Sequence, residues 1–232
     1  VTLLRRRDWQ LRPSAAASRS WEHQRLAALY AMASDKAPIV VAAVDAAVQR
    51  CIPREVLLEA AIPLKTGESY PVEELTAGLI CAGYVRCQQV EGPGQFALRG
   101  GILDVFSPAM EQPVRCEFWD DELDAMGVFD VTTQRRVHNL NETLLLPAGE
   151  VLPFRGAETA EKAAAALEAA GKRLKKKEQA QPLLRQLESD AAALRQGMTP
   201  NGSDRYLAAV YPEKTTVLDY LPQDAILCVC EG

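Results

Sequence analysis

The chain has 232 residues, with 26 basic and 31 acidic side chains and a formal net charge of -5. Apolar residues make up 48% of the sequence and charged residues 25%, which excludes wholesale disorder and a uniformly basic nucleic-acid coat. The length fits one large domain or two small ones, and the presence of only two histidines argues against a histidine-rich metal site.

The amino-terminal part of the chain predicts an α/β domain. Residues 1–4 are typical of a strand, and Ser20 is a good cap for a helix with a regular apolar face. Residues 39–44 are fully apolar, which is typical of a parallel strand that is covered on both faces. Pro53 then favours the start of another short helix.

From about residue 63 the pattern changes to that of an antiparallel α+β module. Pro71 begins a predicted helix, and Gly83 ends it. Short strands follow, separated by glycine, proline and acidic residues, at about 84–90, 95–99, 101–106, 113–119, 124–130 and 142–146.

The last part of the chain is predicted to be mostly helical. Residues 158–197 are rich in Ala, Glu, Lys, Leu and Arg, Pro182 should start a second helix or kink the first, and Gly197 should end it. A final apolar strand is expected near residues 225–230. A strand so close to a terminus suggests that the chain is part of a longer protein.

Several kinds of site lack their sequence signature. There is no G-x-x-x-x-G-K-[ST] phosphate loop, no G-x-S-x-G elbow and no H-E-x-x-H motif, so we expect no enzyme activity from this chain. The acidic run 120–124 lacks the spacing of a calcium loop and favours a hairpin turn over a cation site.

Membrane and disulfide patterns are also lacking. No apolar run reaches the length of about 18 residues that a membrane span needs, and no signal peptide is visible. The six cysteines form no C-x-x-C pair and lie in apolar runs, so we expect reduced core thiols in a cytoplasmic protein, namely Cys51, Cys81, Cys87, Cys116, Cys228 and Cys230.

The strand predicted at 113–119 separates apolar from polar residues. Its alternation places three residues on a core side and three on the opposite side, Val114, Cys116 and Phe118 against Arg115, Glu117 and Trp119. Tryptophan and arginine are enriched at binding hot spots, so we predict a protein-contact face formed by Arg99, Arg115 and Trp119. The alternative is that Trp119 packs on a neighbouring helix and the arginines cover it by cation–π contact.

A second hypothesis is nucleic-acid binding. The chain has two concentrated basic runs, residues 5–7 and a set near the end of a predicted helix, Lys172, Arg173, Lys175, Lys176 and Lys177. The competing interpretation is a solvated helix face with lysines toward the helix end.

Three strings in the middle of the chain carry a family resemblance: Phe96-Ala-x-Arg99-Gly100-Gly101-x-Leu103-Asp104-x-Phe106, Val114-Arg115-x-Glu117-Phe118-Trp119-x-Asp121-Glu122 and Phe129-Asp130-x-x-Thr-Gln134-Arg135. They resemble the UvrB-like amino-terminal region of bacterial transcription-repair coupling factors, the Mfd family. The excinuclease subunit UvrB is the alternative, but the stretch from Asp8 to Ser20 is too short for the DNA-gripping hairpin of UvrB.

The resemblance implies a fold and a division into domains. It implies a three-layer α/β domain, degenerate, helicase-like and without a phosphate loop, that is interrupted by an α+β antiparallel-sheet domain. Residues 1–62 and 147–232 would form the two parts of the α/β domain, and residues 63–146 the inserted domain. Both crossings fall at proline-marked segments, Ile62-Pro63 and Leu146-Pro147, where an insertion is plausible.

The resemblance also implies a partner. The inserted domain would bind the damage-recognition subunit UvrA through Arg99, Arg115 and Trp119, and Trp119 stands where the family usually has Phe. The whole protein would be an ATP-dependent DNA translocase that removes stalled RNA polymerase. Its contacts with ATP, Mg²⁺, RNA polymerase and double-stranded DNA would lie outside this chain, which would bind no cofactor and would be monomeric.

Overall fold

The structure is a computed structural model that describes residues 1–7, 20–36, 39–156, 158–174 and 178–230. Most of the segment 8–20, whose shortness argued against UvrB, and three of the candidate basic residues, Lys175, Lys176 and Lys177, lie outside the described residues. Among the helices that are described, none combines the length and the apolar character that a membrane crossing requires.

The chain begins with a parallel pair of strands around a helix. Strand β1 (Thr2–Leu4) pairs with β2 (Val40–Ala42), and helix α1 (Ser20–Ala33) lies between them in sequence. Short helices α2 (Val44–Ala47) and α3 (Arg54–Glu59) follow. The predicted strand after residue 38 is present, but Val41 is 51% exposed, so the expectation that it is covered on both faces is wrong for the described residues. In the paired strand β1, Leu4 is 1% exposed and its neighbour Leu3 is 53% exposed, so one side of β1 faces the core and the other does not.

The middle of the chain forms an antiparallel module around one helix. It contains β3 (Ile62–Lys65), α4 (Val72–Cys81), β4 (Val85–Arg86), β5 (Gln95–Arg99), β6 (Ile102–Phe106), β7 (Val114–Trp119), β8 (Glu122–Phe129), β9 (Arg136–Asn139) and β10 (Glu142–Leu145). Six strands make one sheet in the order β4-β5-β6-β7-β8-β9, antiparallel except between β4 and β5. Strand β3 pairs with β10, which brings the two ends of the module together.

Most of these strands match the sequence prediction, and two were missed. All four residues of β9 are exposed, so it has no apolar signal. Strand β3 is short and contains Pro63, a residue that normally argues against a strand. Strand β9 is held extended by its hydrogen bonds to β8 without burial of its side chains, whereas β3 pairs with β10 and buries Leu64, at 1% exposure, in the core.

Helices dominate the last part of the chain. Helices α5 (Thr159–Leu174) and α6 (Gln181–Arg195) pack against each other, and the short helix α7 (Leu207–Val210) follows. Pro182 lies in the first turn of α6, so it starts a second helix, one of the two predicted outcomes. Their buried residues join those of α1, α3 and β1 in one hydrophobic core. A separate core lies between α4 and the six-stranded sheet.

The carboxyl-terminal prediction is wrong. Residues 225–230 form no strand, and Ile226 and Val229 are 91% and 73% exposed. A strand needs a hydrogen-bonded neighbour, and no described strand pairs with this segment. Consequently Cys228 and Cys230 are exposed thiols and not the core residues that their apolar neighbours suggested, whereas Cys51 and Cys116 are buried as expected.

A buried ion cluster joins the amino-terminal part of the chain to Glu150, which follows the sheet module. Glu150 accepts hydrogen bonds from Arg25 Nε at 2.7 Å and from Arg7 Nη2 at 3.1 Å, and all three side chains are buried. Arg6 pairs on the surface with Asp45 at 3.3 Å. Arg7 is therefore fixed inside the protein and is not available for phosphate contacts, whereas Arg6 is exposed, and nucleic-acid binding by residues 5–7 stays a prediction.

Candidate functional site

Strand alternation gives the six-stranded sheet a core side and an opposite side. On β7, Val114 and Cys116 are fully buried and Phe118 is 9% exposed, as the alternation predicted. On the opposite side, Arg115 is 20% exposed and Trp119 is 82% exposed. The two sides keep this pattern although the pairing of β7 with β8 shifts register after Glu117, because the alternation of β7 itself continues.

A buried carboxylate lies at the centre of the opposite side. Asp104 of β6 stands directly across from Arg115 of β7, and its side chain is only 1% exposed. Arg115 donates to Asp104 through Nε at 2.6 Å and through Nη2 at 2.8 Å, a two-point fork. Arg99 of β5 adds a third bond, from Nη2 at 3.0 Å. The structure therefore brings Arg99 and Arg115 together, as predicted, through a residue that the sequence analysis did not single out.

Asp104 did leave a signal in the sequence. It interrupts the otherwise apolar strand Ile102–Phe106, and a charged residue in a buried strand is rarely without an opposite charge. Arginines on the flanking strands at 99 and 115 are the partners that this rule requires. The signal could have been used if the strand register had been known, since register decides which residues stand opposite.

Arg115 is held from three further directions. Its Nη2 donates to Gln134 Oε1 at 3.1 Å, its Nη1 donates to the Gln134 carbonyl oxygen at 3.4 Å, and its guanidinium lies 4.5 Å from the centroid of the Phe129 ring. The hydrogen bonds to Asp104 raise the pKa of Arg115 above its ordinary value, so the charge is permanent. Every nitrogen of this guanidinium is therefore used inside the protein.

Gln134 is itself fixed by the hairpin between β8 and β9. Its backbone has a φ of +60°, in the left-handed region, and its Nε2 donates to the carbonyl oxygen of Val131 at 2.7 Å. Asp130 closes the same turn by accepting from the backbone N–H and the hydroxyl of Thr133, at 2.7 and 2.8 Å, and these bonds lower the pKa of Asp130. The acceptor of Arg115 thus sits on a locally braced loop.

Trp119 stands at the end of the same sheet side. It is the last residue of β7, and Asp120, with φ of +57°, begins the turn to β8. The indole borders a shallow hollow with Gly100 and Gly101, which directly follow Arg99. In the described residues it makes no ring contact or hydrogen bond with either arginine, and it is largely in solvent. The alternative in which Trp119 packs on a helix under the arginines is therefore wrong.

The acidic run beside Trp119 is a hairpin turn, as predicted. Residues 120 and 121 connect β7 to β8, and the Asp121 carboxylate accepts from the backbone N–H of Val72 at 3.3 Å, while its carbonyl oxygen accepts from the N–H of Tyr70 at 2.7 Å. Across the part of the chain that the structure describes, no cluster of three or more His, Cys, Asp or Glu side chains could hold a metal ion.

The basic run at the end of α5 is only partly described. Lys172 and Arg173 are exposed in the last turn of the helix, where positive charge is favourable, and the three lysines after them lie outside the described residues. Nucleic-acid binding by this run stays a prediction.

Comparison with known proteins identifies the region around this site. The family described as UvrB interaction domain matches residues 62–150, which include the whole six-stranded sheet. The transcription-repair-coupling factor of Bacillus subtilis is 33% identical over 220 residues, which are 94% of this chain and 19% of that protein. The same factor of Myxococcus xanthus is 32% identical over 85% of this chain and 16% of its own length.

A third relative, the transcription-repair-coupling factor of Escherichia coli, is 34% identical over 62% of this chain and 13% of its own length. The chain therefore spans about a fifth of the relatives it matches, at most 19% in these three cases. The resemblance to the amino-terminal, UvrB-like region of these factors is confirmed, and so is the α/β class of the fold.

Proposed function

We propose that this chain, which is similar to the amino-terminal region of transcription-repair coupling factors, is a protein-binding module that recruits the repair subunit UvrA to stalled RNA polymerase. One observation carries the proposal. Within the residues that match the UvrB interaction domain, Arg99 and Arg115 meet on a buried carboxylate, and an exposed tryptophan stands at the same end of the sheet.

The exposure of Trp119 supports a contact role. A tryptophan that is 82% exposed gains no stability from packing, and its large apolar surface is of use mainly when a partner covers it. The Arg99 side chain is 53% exposed, and its guanidinium keeps N–H donors available to a partner that covers Trp119. An aromatic anchor next to a half-exposed arginine is the usual composition of a binding hot spot.

The domain division in this proposal follows the two cores. Residues 63–146 form the inserted binding domain, and residues 1–62 and 147–232 form the α/β domain around it. The sheet module has a hydrophobic core of its own, which supports this division. The pairing of β3 with β10 also supports it, because it places the first and last strands of the inserted domain side by side.

The other activities in this proposal belong to the rest of the protein. ATP-driven movement along double-stranded DNA and contact with RNA polymerase would reside in the four-fifths of the relatives that this chain does not span. In this chain we propose binding without catalysis, without ATP or Mg²⁺, and as a monomer.

The direct test is a calorimetric titration of the chain with purified UvrA. We expect a saturable complex, and we expect Arg99→Ala to weaken it by at least about 2 kcal/mol, as for a central anchor. Arg135→Ala is the matched control, since Arg135 is an exposed arginine in the turn that leads into β9 of the same sheet. Equal affinities of wild type and Arg99→Ala, with both chains folded, would contradict the proposal.

A further inference from the structure

The two arginines of the binding side are used very differently. Every nitrogen of the Arg115 guanidinium donates a hydrogen bond inside the protein, its plane lies over Phe129, and 20% of the side chain is exposed. Arg99 is 53% exposed and donates one bond, from Nη2 to Asp104. In the described residues, the Nε and Nη1 groups of Arg99 have no acceptor.

A donor that is already satisfied adds little when a partner arrives. Four of the five N–H groups of Arg115 donate inside the protein, so an acceptor on UvrA that took any of these four would break a bond to Asp104 or Gln134. Breaking the bonds to Asp104 would leave that buried carboxylate without its main partner. Arg99 can form new bonds without breaking its existing one. Arg99 is therefore available to contact a partner, whereas Arg115 is already hydrogen-bonded within the protein.

We propose that Arg115 is a positioning residue, which acts together with Asp104 and Gln134 to hold Arg99 in place, while Arg99 and Trp119 make the contact with UvrA. This inference rests on the binding function proposed above. Asp104 is the link, because both arginines bond to the same oxygen, Oδ2, at 2.8 and 3.0 Å.

The physical consequence of losing Arg115 follows from this link. Asp104 would keep its burial but lose two of its three hydrogen bonds, so its charge would be balanced by Arg99 alone. Arg99 would then be drawn onto the carboxylate, which is the cheapest way to satisfy a buried charge. Donors that UvrA needs would be turned inward, and the affinity would fall although no contact with UvrA had been removed.

The charge of the cluster also defines the partner. Two arginines against one carboxylate leave one net positive charge, and most of the uncommitted donors that carry it belong to Arg99. A carboxylate on UvrA, next to an apolar side chain that covers Trp119, is the chemistry that this arrangement fits.

A double-mutant cycle tests the inference. We expect Arg115→Ala to weaken UvrA binding about tenfold in the wild-type chain but less than about twofold in the Arg99→Ala chain, since residues that act through one another are not additive. Arg115→Lys should behave like Arg115→Ala, because a single ammonium cannot reproduce the fork. Equal losses from Arg115→Ala in both backgrounds, or full affinity in Arg115→Lys, would overturn the inference and leave the binding function intact.

A milder variant covers the case in which Arg115→Ala does not fold. Gln134→Gly removes one acceptor of Arg115 and suits the positive φ at that position, so the backbone can stay as it is. We expect a smaller loss of affinity, again seen only when Arg99 is present. A loss of the same size in the Arg99→Ala chain would contradict the positioning role.

Nuclear magnetic resonance of the arginine Nε–H groups gives a readout that stability alone would not change. In the free chain we expect a protected Nε–H signal from Arg115, bonded to Asp104, and a rapidly exchanging one from Arg99. Addition of UvrA should protect Arg99 Nε–H and leave that of Arg115 at its position. A shift of Arg115 with none for Arg99 would overturn the inference, and no binding by the wild-type chain would overturn it together with the proposed function.

Discussion

Gly101 and Phe118 meet backbone to backbone beside the binding side of the sheet. The Phe118 N–H donates to the Gly101 carbonyl oxygen at 2.7 Å, and a Cβ added to Gly101 would lie 2.7 Å from the Phe118 carbonyl oxygen. This contact fixes the turn after β5 against the end of β7. Arg99 lies two residues before Gly101 and Trp119 directly follows Phe118, so their spacing depends on a glycine at 101.

The first prediction concerns this contact. Gly101→Ala places a methyl group against backbone that cannot move aside, so we expect a loss of roughly 1–3 kcal/mol in the free energy of unfolding. Urea unfolding measures it. Gly92→Ala is the matched control, because Gly92 has no positive φ and a Cβ there would meet nothing within 4 Å. Equal stabilities of the two variants would show that the close approach at 101 is easily relaxed.

The second prediction separates binding from stability at Trp119. Because the side chain is 82% exposed, we expect Trp119→Ala to change the free energy of unfolding by less than about 0.5 kcal/mol. The same variant should weaken UvrA binding by at least about 2 kcal/mol, whereas Trp119→Phe should keep most of the affinity.

The control for Trp119 is another exposed apolar residue of the same sheet. Val137 on β9 is 55% exposed, and Val137→Ala should alter neither stability nor affinity appreciably. If Trp119→Ala proved as harmless to binding as Val137→Ala, the indole would not be an anchor of the interface.

The third prediction concerns the buried Glu150. Glu150→Gln removes the carboxylate that pairs with the buried guanidinium groups of Arg7 and Arg25, so we expect a loss of about 3–5 kcal/mol in the free energy of unfolding. Glu161→Gln is the control, since its pair with Arg195 is on the surface and should leave the unfolding midpoint almost unchanged. Similar midpoints for the two variants would contradict the role of Glu150.

Much of the fold could be predicted from the sequence, because local signals coincide with the final structure. The proline at the start of α6 and the alternation of β7 are examples: each depends on residues adjacent in the chain. The strand predicted at 225–230 failed because an apolar run shows a tendency to be extended but not the existence of a neighbour to pair with. The prediction that Cys228 and Cys230 are core thiols failed for the same reason, because it assumed that this segment is a buried strand.

The sequence predicted part of the candidate site. Alternation and family resemblance singled out Arg99, Arg115 and Trp119, but neither could show that the arginines share Asp104. That contact depends on the registers of β5 with β6 and of β6 with β7, which place Asp104 across from Arg115. The sequence also could not show that Arg115 is hydrogen-bonded within the protein while Arg99 keeps free donors, because this difference depends on the acceptors that the β8–β9 hairpin presents to Arg115.

The last prediction concerns pH and the buried thiols. Burial raises the pKa of both Cys51 and Cys116 from 9.0 to about 12, with nearby Glu150 and Asp104 adding to the effect at each. The folded state therefore keeps two protons that the unfolded chain releases above pH 9.0, so the stabilisation is complete below that pH and is lost as the pH rises toward 12. Each thiol should contribute a slope of up to about 1.4 kcal/mol per pH unit in that window.

Urea unfolding between pH 8 and pH 11 measures this slope, and Cys116→Ala should make it shallower whatever the cavity costs at neutral pH. Alkylation gives an independent check: at pH 8 the exposed Cys228 and Cys230 should react in the native chain, while Cys51 and Cys116 should react only after unfolding. Rapid labelling of Cys116 in the native chain would mean that the core beneath Asp104 opens far more readily than its packing implies. If that core opened so readily, the Asp104 carboxylate could not hold Arg99 and Arg115 at a fixed spacing. The positioning role proposed for Arg115 would then fail as well.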